Sequence, residues 1–183
     1  INAIKLNPAN PFTWASGWKS PIYCDNRKTL SYPEIRTSIL HFFVKAIQDK
    51  FAGTEVIAGV ATAGIPMGML IAQELKLPFI YVRSTSKDHG LQNQIEGVLN
   101  PGQKVVVIED LVSTGGSSLK AVEAIRASQG NVLGMCAIFS YAFPHAEKSF
   151  VGANCSLITL SDYPNLIETA LEQGTIQREQ LEL

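Results

Sequence analysis

Long apolar runs are the first thing this chain lacks. No stretch reaches the roughly 20 apolar residues that a membrane-spanning helix needs. Ile1 to Pro11 has neither a basic start nor an apolar middle, so no secretory signal is expected there. The chain does not open on Met, so further residues are expected upstream. Charge is scarce and balanced. Fifteen Lys and Arg against 16 Asp and Glu leave a net charge of −1, which argues against binding nucleic acid through a bulk basic surface. Cysteine is rare too. Cys24, Cys136 and Cys155 are odd in number and show no C-x-x-C spacing, which suits reduced thiols in a cytoplasmic protein. There is no internal repeat and no low-complexity tract. With 46% hydrophobic and 17% charged residues, the 183-residue chain can build a sizeable core, and one domain is expected.

What is present centres on Lys104 to Ser118, K-V-V-V-I-E-D-L-V-S-T-G-G-S-S. Val105 to Ile108 is a β-branched run without alternation. It fits a strand covered on both faces, as in a parallel sheet. Glu109 and Asp110 follow where the strand is expected to leave the sheet, the side on which open α/β sheets bind ligands. Ser113, Thr114, Gly115, Gly116 and Ser117 then offer hydroxyls and free amides. Leu119, Val122 and Ile125 recur at helical spacing, so a helix is expected from about Ser117. A small-residue loop entering a helix N-terminus is an anion site, because unpaired N–H groups and the positive dipole end face the ligand. An ordinary strand-turn-helix corner with a polar cap reads the same way on spacing alone.

The remaining chain supplies the frame. Asn7 to Arg27 is rich in Pro, Gly and aromatics with little periodicity, and reads as a functional hood or as a flap over one sheet edge. Ile35, Ile39, Phe42, Phe43 and Ile47 mark a helix from about Pro33. Glu55 to Ala61 is a second buried-strand candidate. The tight loop Thr62-Ala63-Gly64 follows it, then a helix over Ile65 to Leu75 with Pro66 in its first turn. Pro78 ends that helix and Phe79 to Arg83 is a third strand. Ser84 to Gly97 is polar, carries two glycines and is expected to be a mobile lid. Arg83, Lys87 and His89 place three potential cations there, as a lid bringing charge to a reaction would. Gly130 is expected to cap the helix that follows Ser117. Strands are expected at Val132 to Phe139 and Ser156 to Leu160, and helices at Pro164 to Glu172 and Thr175 to Glu182. Alternating strands and helices imply an α/β fold with a mostly parallel, doubly wound sheet.

V-V-V-I-E-D-L-V-S-T-G-G-S resembles the phosphoribosyl diphosphate (PRPP) signature of the type I phosphoribosyltransferases. F-T-W-A-S-G-W-K-S-P-I-Y-C-D-N-R and Y-V-R-S-T-S-K-D-H-G-L-Q-N-Q-I-E-G narrow the resemblance to the orotate phosphoribosyltransferases, from about Pro11 to Tyr163. The resemblance implies one phosphoribosyltransferase domain over 1–183, with a hood at 1–32 and a lid at 84–97. It implies transfer of the 5-phosphoribosyl group from PRPP to orotate, giving orotidine 5-monophosphate and diphosphate in pyrimidine biosynthesis. The partners implied are PRPP, orotate and a second copy of the chain whose lid is shared. Magnesium is implied as a cofactor bound through PRPP and water, with no metal ligand from the protein. Carried over residue by residue, Arg83, Lys87 and His89 contact diphosphate, and Glu109 and Asp110 hold the ribose hydroxyls. Leu111, Val112, Ser113, Thr114, Gly115, Gly116 and Ser117 wrap the 5-phosphate, and Ser113 also lies beside orotate. Phe12 and the Lys19 to Cys24 segment, Tyr23 included, cover the base.

Four positions depart from the family pattern. Ala15, Ser84, Ala63 and Tyr141 stand where many members carry cations, and Lys19 and Arg27 are the remaining candidates for the orotate carboxylate.

The chemistry implied is displacement at an anomeric carbon through an oxocarbenium-like transition state. Magnesium, Lys87, His89 and Arg83 would neutralise the departing diphosphate, with Asp110 fixing the ribose. His89 reads equally as a surface histidine. Rival readings are a phosphoribosyltransferase for a purine base, a non-catalytic PRPP-binding regulatory domain, and another nucleotide-binding α/β domain. The regulatory reading would need a DNA-binding module, which is not expected in the stretch before Pro11.

Overall fold

The chain starts with two short antiparallel ladders, in a computed structural model that describes residues 1–7, 10–13, 17, 19–84 and 94–179. Strand β1 (Ile4–Leu6) pairs with β4 (Ile22–Cys24), and β2 (Phe12–Thr13) pairs with β3 (Lys19–Ser20). A 3-10 helix, Asn26–Ser31, follows. The hood therefore carries more regular structure than its composition suggested. Its strands are two or three residues long, too short to register as periodicity. They are anchored by Asn7 N–H to the Pro21 carbonyl at 2.8 Å and Asp25 N–H to the Ala3 carbonyl at 2.8 Å.

Helix α1 (Pro33–Lys50) starts where the sequence places it, with Tyr32 extended before Pro33. Its buried stripe differs from the expected one. Phe43 and Ile47 are buried, whereas Phe42 is 62% and Ile35 37% exposed. Leu40 instead flanks the stripe, which turns the packed face away from Phe42.

The central sheet follows from β5 (Val56–Val60), α2 (Gly64–Leu75), β6 (Phe79–Val82), β7 (Ile95–Glu96), β8 (Lys104–Val112), α3 (Gly116–Ala127), β9 (Asn131–Ser140), α4 (Pro144–Gly152), β10 (Leu157–Asp162) and α5 (Tyr163–Glu172). The spatial order is β10-β9-β8-β5-β6-β7, parallel except for β7. Taken alone, the five parallel strands follow the 2-1-3-4-5 order of a doubly wound sheet, and chain direction reverses across the sheet between β5 and β8.

Strand residues divide strictly between the two faces. Val56, Ala58, Val105, Val107, Met135 and Ala137 pack in the core layer that includes Val122 and Ile125 of α3 and Phe150 of α4. Ile57, Val106, Ile108 and Cys136 pack in the layer that includes Phe43 of α1 and Met67 and Ile71 of α2. Both faces being apolar, the strands read as continuous hydrophobic runs.

Other expectations change in detail. The strand at Phe79 stops at Val82, and β8 runs on through Glu109 and Asp110 to Val112. The acids still leave the sheet on one side, because β5 pairs with β8 only as far as Ile108. The expected lid span 84–97 contains a strand at its end. Ile95 and Glu96 pair back onto Val82 and Tyr81, and Ile95 is buried. Residues 85–93 lie outside the described residues.

Helix α3 is closed by Gln129 in the left-handed region (φ 63°), with Gly130 one place further on. Gln129 N–H bonds the Arg126 carbonyl and Gly130 N–H the Ile125 carbonyl, both at 2.9 Å. Helix α4 was not foreseen, since nine residues entered by Phe143-Pro144 fall within what reads as a connection. Over the described part of Thr175–Glu182 no α-helix forms; Arg178 and Glu179 are in a 3-10 turn. Gly174 (φ 66°) ends α5, and Thr175 N–H returns to the Ala170 carbonyl at 2.9 Å.

Candidate active site

Glu109 lies on the same face of β8 as Val105 and Val107, beneath α3, and is 6% exposed. Ser118 Oγ, itself buried, donates to its Oε2 at 3.0 Å, and the Asp110 N–H donates to its Oε1 at 3.0 Å. Burial pushes the Glu109 carboxyl up to about 8, with the neighbouring Asp110 charge adding to the shift. In the ligand-free protein this acid therefore keeps its proton close to neutral pH. Asp110 is half-buried, and its main-chain carbonyl accepts from Asn26 Nδ2 at 2.7 Å.

The loop after β8 turns through Gly115, whose φ is 82°. A Cβ at Gly115 would also come within 2.9 Å of Phe150 Cε2, so glycine is required there on two counts. Among the described residues no side chain caps α3, which leaves the amides of its first turn for a ligand. Opposite, the loop 61–63 holds a cis Ala61–Thr62 peptide. Gly64 starts α2 so close to the Ile108 carbonyl that no Cβ would fit, and this brings the two loops together at the β5–β8 reversal.

Between them is a cavity of about 320 Å³ lined by Ala61, Arg83, Ser84, Gly116, Ser117 and Lys120. Arg83 Nη1 is buried and, among the described residues, has no hydrogen-bond partner; Glu96 Oε1 is 3.6 Å away, too long for one. The helix N-terminus, Lys120 and the Arg83 guanidinium, which is ion-paired with Glu96 but has no hydrogen bond on Nη1 among the described residues, make this cavity suited to phosphate groups.

The hood covers the neighbouring strand ends. Ile22 and Cys24 are buried against Phe139 and Tyr141. The Phe12 and Tyr23 rings are 5.9 Å apart, tilted at 45°, with Tyr23 41% exposed. A second cavity of about 210 Å³ is lined by Lys19, Ser20, Pro21, Ile22, Tyr141, Phe143 and Tyr163. Tyr141 N–H bonds the Val112 carbonyl at 3.1 Å, which ties this cavity to the end of β8. Burial pushes the Tyr141 hydroxyl up to about 12, so it stays neutral, and Lys19 is the basic residue among the described lining residues. Arg27 Nε is instead engaged by Asp25 Oδ1 at 2.7 Å.

The structure thus brings Arg83, Glu109, Asp110, Ser113, Thr114, Gly115, Gly116 and Ser117 to one end of the sheet. Val112 is fully buried and Leu111 packs under the hood, so these two offer a ligand main-chain groups only. Lys87 and His89 lie outside the described residues. Two residues at the site escaped the sequence. Lys120 is four places after Gly116, one helical turn, a spacing that could have flagged it. Asn26 is 84 residues from its partner, and no sequence signal could have paired them.

A doubly wound sheet with an acid pair and an anion loop at its reversal point is the arrangement expected of a phosphoribosyltransferase. The family model described as "Phosphoribosyl transferase domain" matches residues 30–163. The orotate phosphoribosyltransferase of Phocaeicola vulgatus is 60% identical over 179 residues, covering 98% of this chain and 84% of that protein. That of Porphyromonas gingivalis is 59% identical over 183 residues, covering 100% of this chain and 87% of that protein. Among solved structures, orotate phosphoribosyltransferase from Aeropyrum pernix superimposes with a TM-score of 0.82 at 26% identity, covering 91% of this chain and 92% of that one. The chain belongs to the orotate phosphoribosyltransferase family.

Proposed function

We propose that this chain transfers the 5-phosphoribosyl group of PRPP to orotate, releasing diphosphate and forming orotidine 5-monophosphate for pyrimidine synthesis. The observation that carries the reading is the acid pair beside the uncapped α3 N-terminus, in a chain about three-fifths identical to orotate phosphoribosyltransferases. High-identity relatives of that one kind favour orotate over a purine base as acceptor.

On this reading the free amides at Gly116 and Ser117 and the hydroxyls of Ser113 and Thr114 hold the 5-phosphate, and Glu109 and Asp110 hold the ribose hydroxyls. Arg83 meets the diphosphate with the nitrogen that has no hydrogen-bond partner among the described residues. Lys87 and His89 join it there as catalytic residues. Orotate sits under the hood between Phe12, Tyr23 and Ser113, with Lys19 answering its carboxylate. The ring nitrogen of deprotonated orotate is already a nucleophile, so no covalent enzyme intermediate is needed. Positive charge builds on the ribose and negative charge on the leaving diphosphate, and fixed charges facing both lower the barrier.

No group of three or more His, Cys, Asp or Glu comes together among the described residues. The acid pair alone fits a magnesium ion held mainly by PRPP and water. Bound there, the ion would supply neutralisation of diphosphate charge. The working protein is a homodimer whose lid, the part of 84–97 before Ile95, serves the partner's site, with 1–183 as one domain and 1–32 as its hood. It acts in the cytoplasm; no helix among the described residues is long and apolar enough to cross a membrane.

The test is orotate consumption, followed by ultraviolet absorbance, with purified protein, magnesium and PRPP. Orotate should be converted, and adenine, hypoxanthine and uracil should not be converted at comparable rates. Equal turnover of a purine base would reject the assignment.

A further inference from the structure

Past Ile108, β8 has no paired strand on its β5 side among the described residues, and the main chain carrying Asp110 needs another support there. Asn26, 5% exposed at the start of the hood's 3-10 helix, provides it. Its Nδ2 donates to the Asp110 carbonyl at 2.7 Å. Its Oδ1 accepts from the Cys24 thiol at 3.2 Å, and its own carbonyl accepts from Thr29 Oγ1 at 2.6 Å. Asn26 is thus fixed on the hood side by two bonds and reaches the acid pair by a third. Cys24, its anchor, is on the same strand as Tyr23, whose ring meets Phe12.

We propose that Asn26 is a positioning residue for phosphoribosyl transfer, setting the Asp110 main chain and tying the base-covering hood to the ribose-binding acids. The proposal rests on the function assigned above. Asn26 contacts no substrate; it acts through Asp110. A buried amide-to-carbonyl bond is worth about tenfold in an equilibrium or a rate when it is formed fully only in the competent state. The carboxylate that must face the ribose hydroxyls would otherwise sit on a strand end held from one side only. Sub-ångström displacement of such a group lowers turnover rather than folding.

The experiment is a double-mutant cycle. Wild-type turnover of orotate with PRPP is measured first, and its absence would reject the functional reading before any variant is made. Asn26→Ala in the wild-type background should lower kcat about tenfold and raise the KM for PRPP more than that for orotate. In an Asp110→Asn background the same change should cost less than about twofold, because the group it positions has already lost its charge. A purely structural asparagine would cost the same factor in both backgrounds, and that result overturns the proposal. So does wild-type kcat in a folded Asn26→Ala protein. Where Asn26→Ala fails to fold, Asn26→Asp carries the same cycle, since it keeps the size and the acceptor for Cys24 and removes the amide donor.

Discussion

Glu109 shows how a strand end stores charge chemistry. Its folded carboxyl stands at about 8 against an ordinary 4.5, because burial and the Asp110 charge both disfavour ionisation. The folded protein then holds more protons than the unfolded chain between those values. By linkage, the stabilising contribution is complete below about 4.5 and is lost as pH rises through about 8. Urea midpoints of the ligand-free protein should therefore contain a component that falls across that window. Glu109→Gln, which cannot ionise, should remove that component and leave the rest of the profile in place. An unchanged slope in the variant would show that the acid titrates normally.

Lys19 supports a prediction of another kind. It is the cation lining the cavity that Tyr141 closes with a neutral hydroxyl. Lys19→Ala should raise the KM for orotate about tenfold while leaving the KM for PRPP within about twofold, as loss of one charge-assisted contact would. Steady-state kinetics with each substrate varied decides it, and a change confined to PRPP would move Lys19 off the base.

At the scale of elements, the loop between β8 and α3 makes two neighbouring glycines behave differently. Gly115 is left-handed and faces Phe150, whereas a Cβ on Gly116 meets nothing within 4 Å. Gly115→Ala should destabilise the fold by about 1–3 kcal/mol through backbone strain and the displaced Phe150 ring. Gly116→Ala, at the first position of a helix, should stay within about 0.5 kcal/mol of the parent. Thermal or urea unfolding of the two proteins gives the comparison, and equal losses would mean the turn is not held as described.

The same elements explain what could be read from residues alone. Val105 to Ile108 announced their strand because both faces are covered, and the small-residue loop announced itself by composition. Phe42 misled because an extra aromatic beside Phe43 mimics a wider stripe, and only Leu40's packing reveals the true face. β7 was hidden because two residues, Ile95 and Glu96, carry no pattern, although their pairing with β6 anchors one end of the lid region. Ser118 was legible as a polar residue in the first turn of α3, but its bond to Glu109 follows from the strand's pleat and the helix's tilt together. Asn26 depends on chain tracing across the whole molecule, which local spacing cannot carry.

At the scale of the whole molecule, the proposed dimer determines which subunit's lid completes each proposed site. Lys87 carries a compact charge on a flexible stem, suited to meeting diphosphate as a lid closes. Lys87→Ala should therefore reduce turnover far more than it weakens orotate binding. Asp110→Asn should lower turnover on the order of 10²-fold, since an amide cannot supply the acid's charge at the ribose. Each variant alone is then nearly inactive, and mixing them distinguishes the two arrangements. If lids serve the partner's site, one site of a mixed dimer holds both defects and the other holds neither. Activity should return toward half of a wild-type site complement per mixed dimer. If each lid serves its own subunit, every site keeps one defect and nothing returns. Subunit exchange must be shown independently, by tagging one variant and recovering the other with it. No recovery despite exchange would reject the shared site while leaving the roles of Arg83, Glu109 and the α3 N-terminus intact.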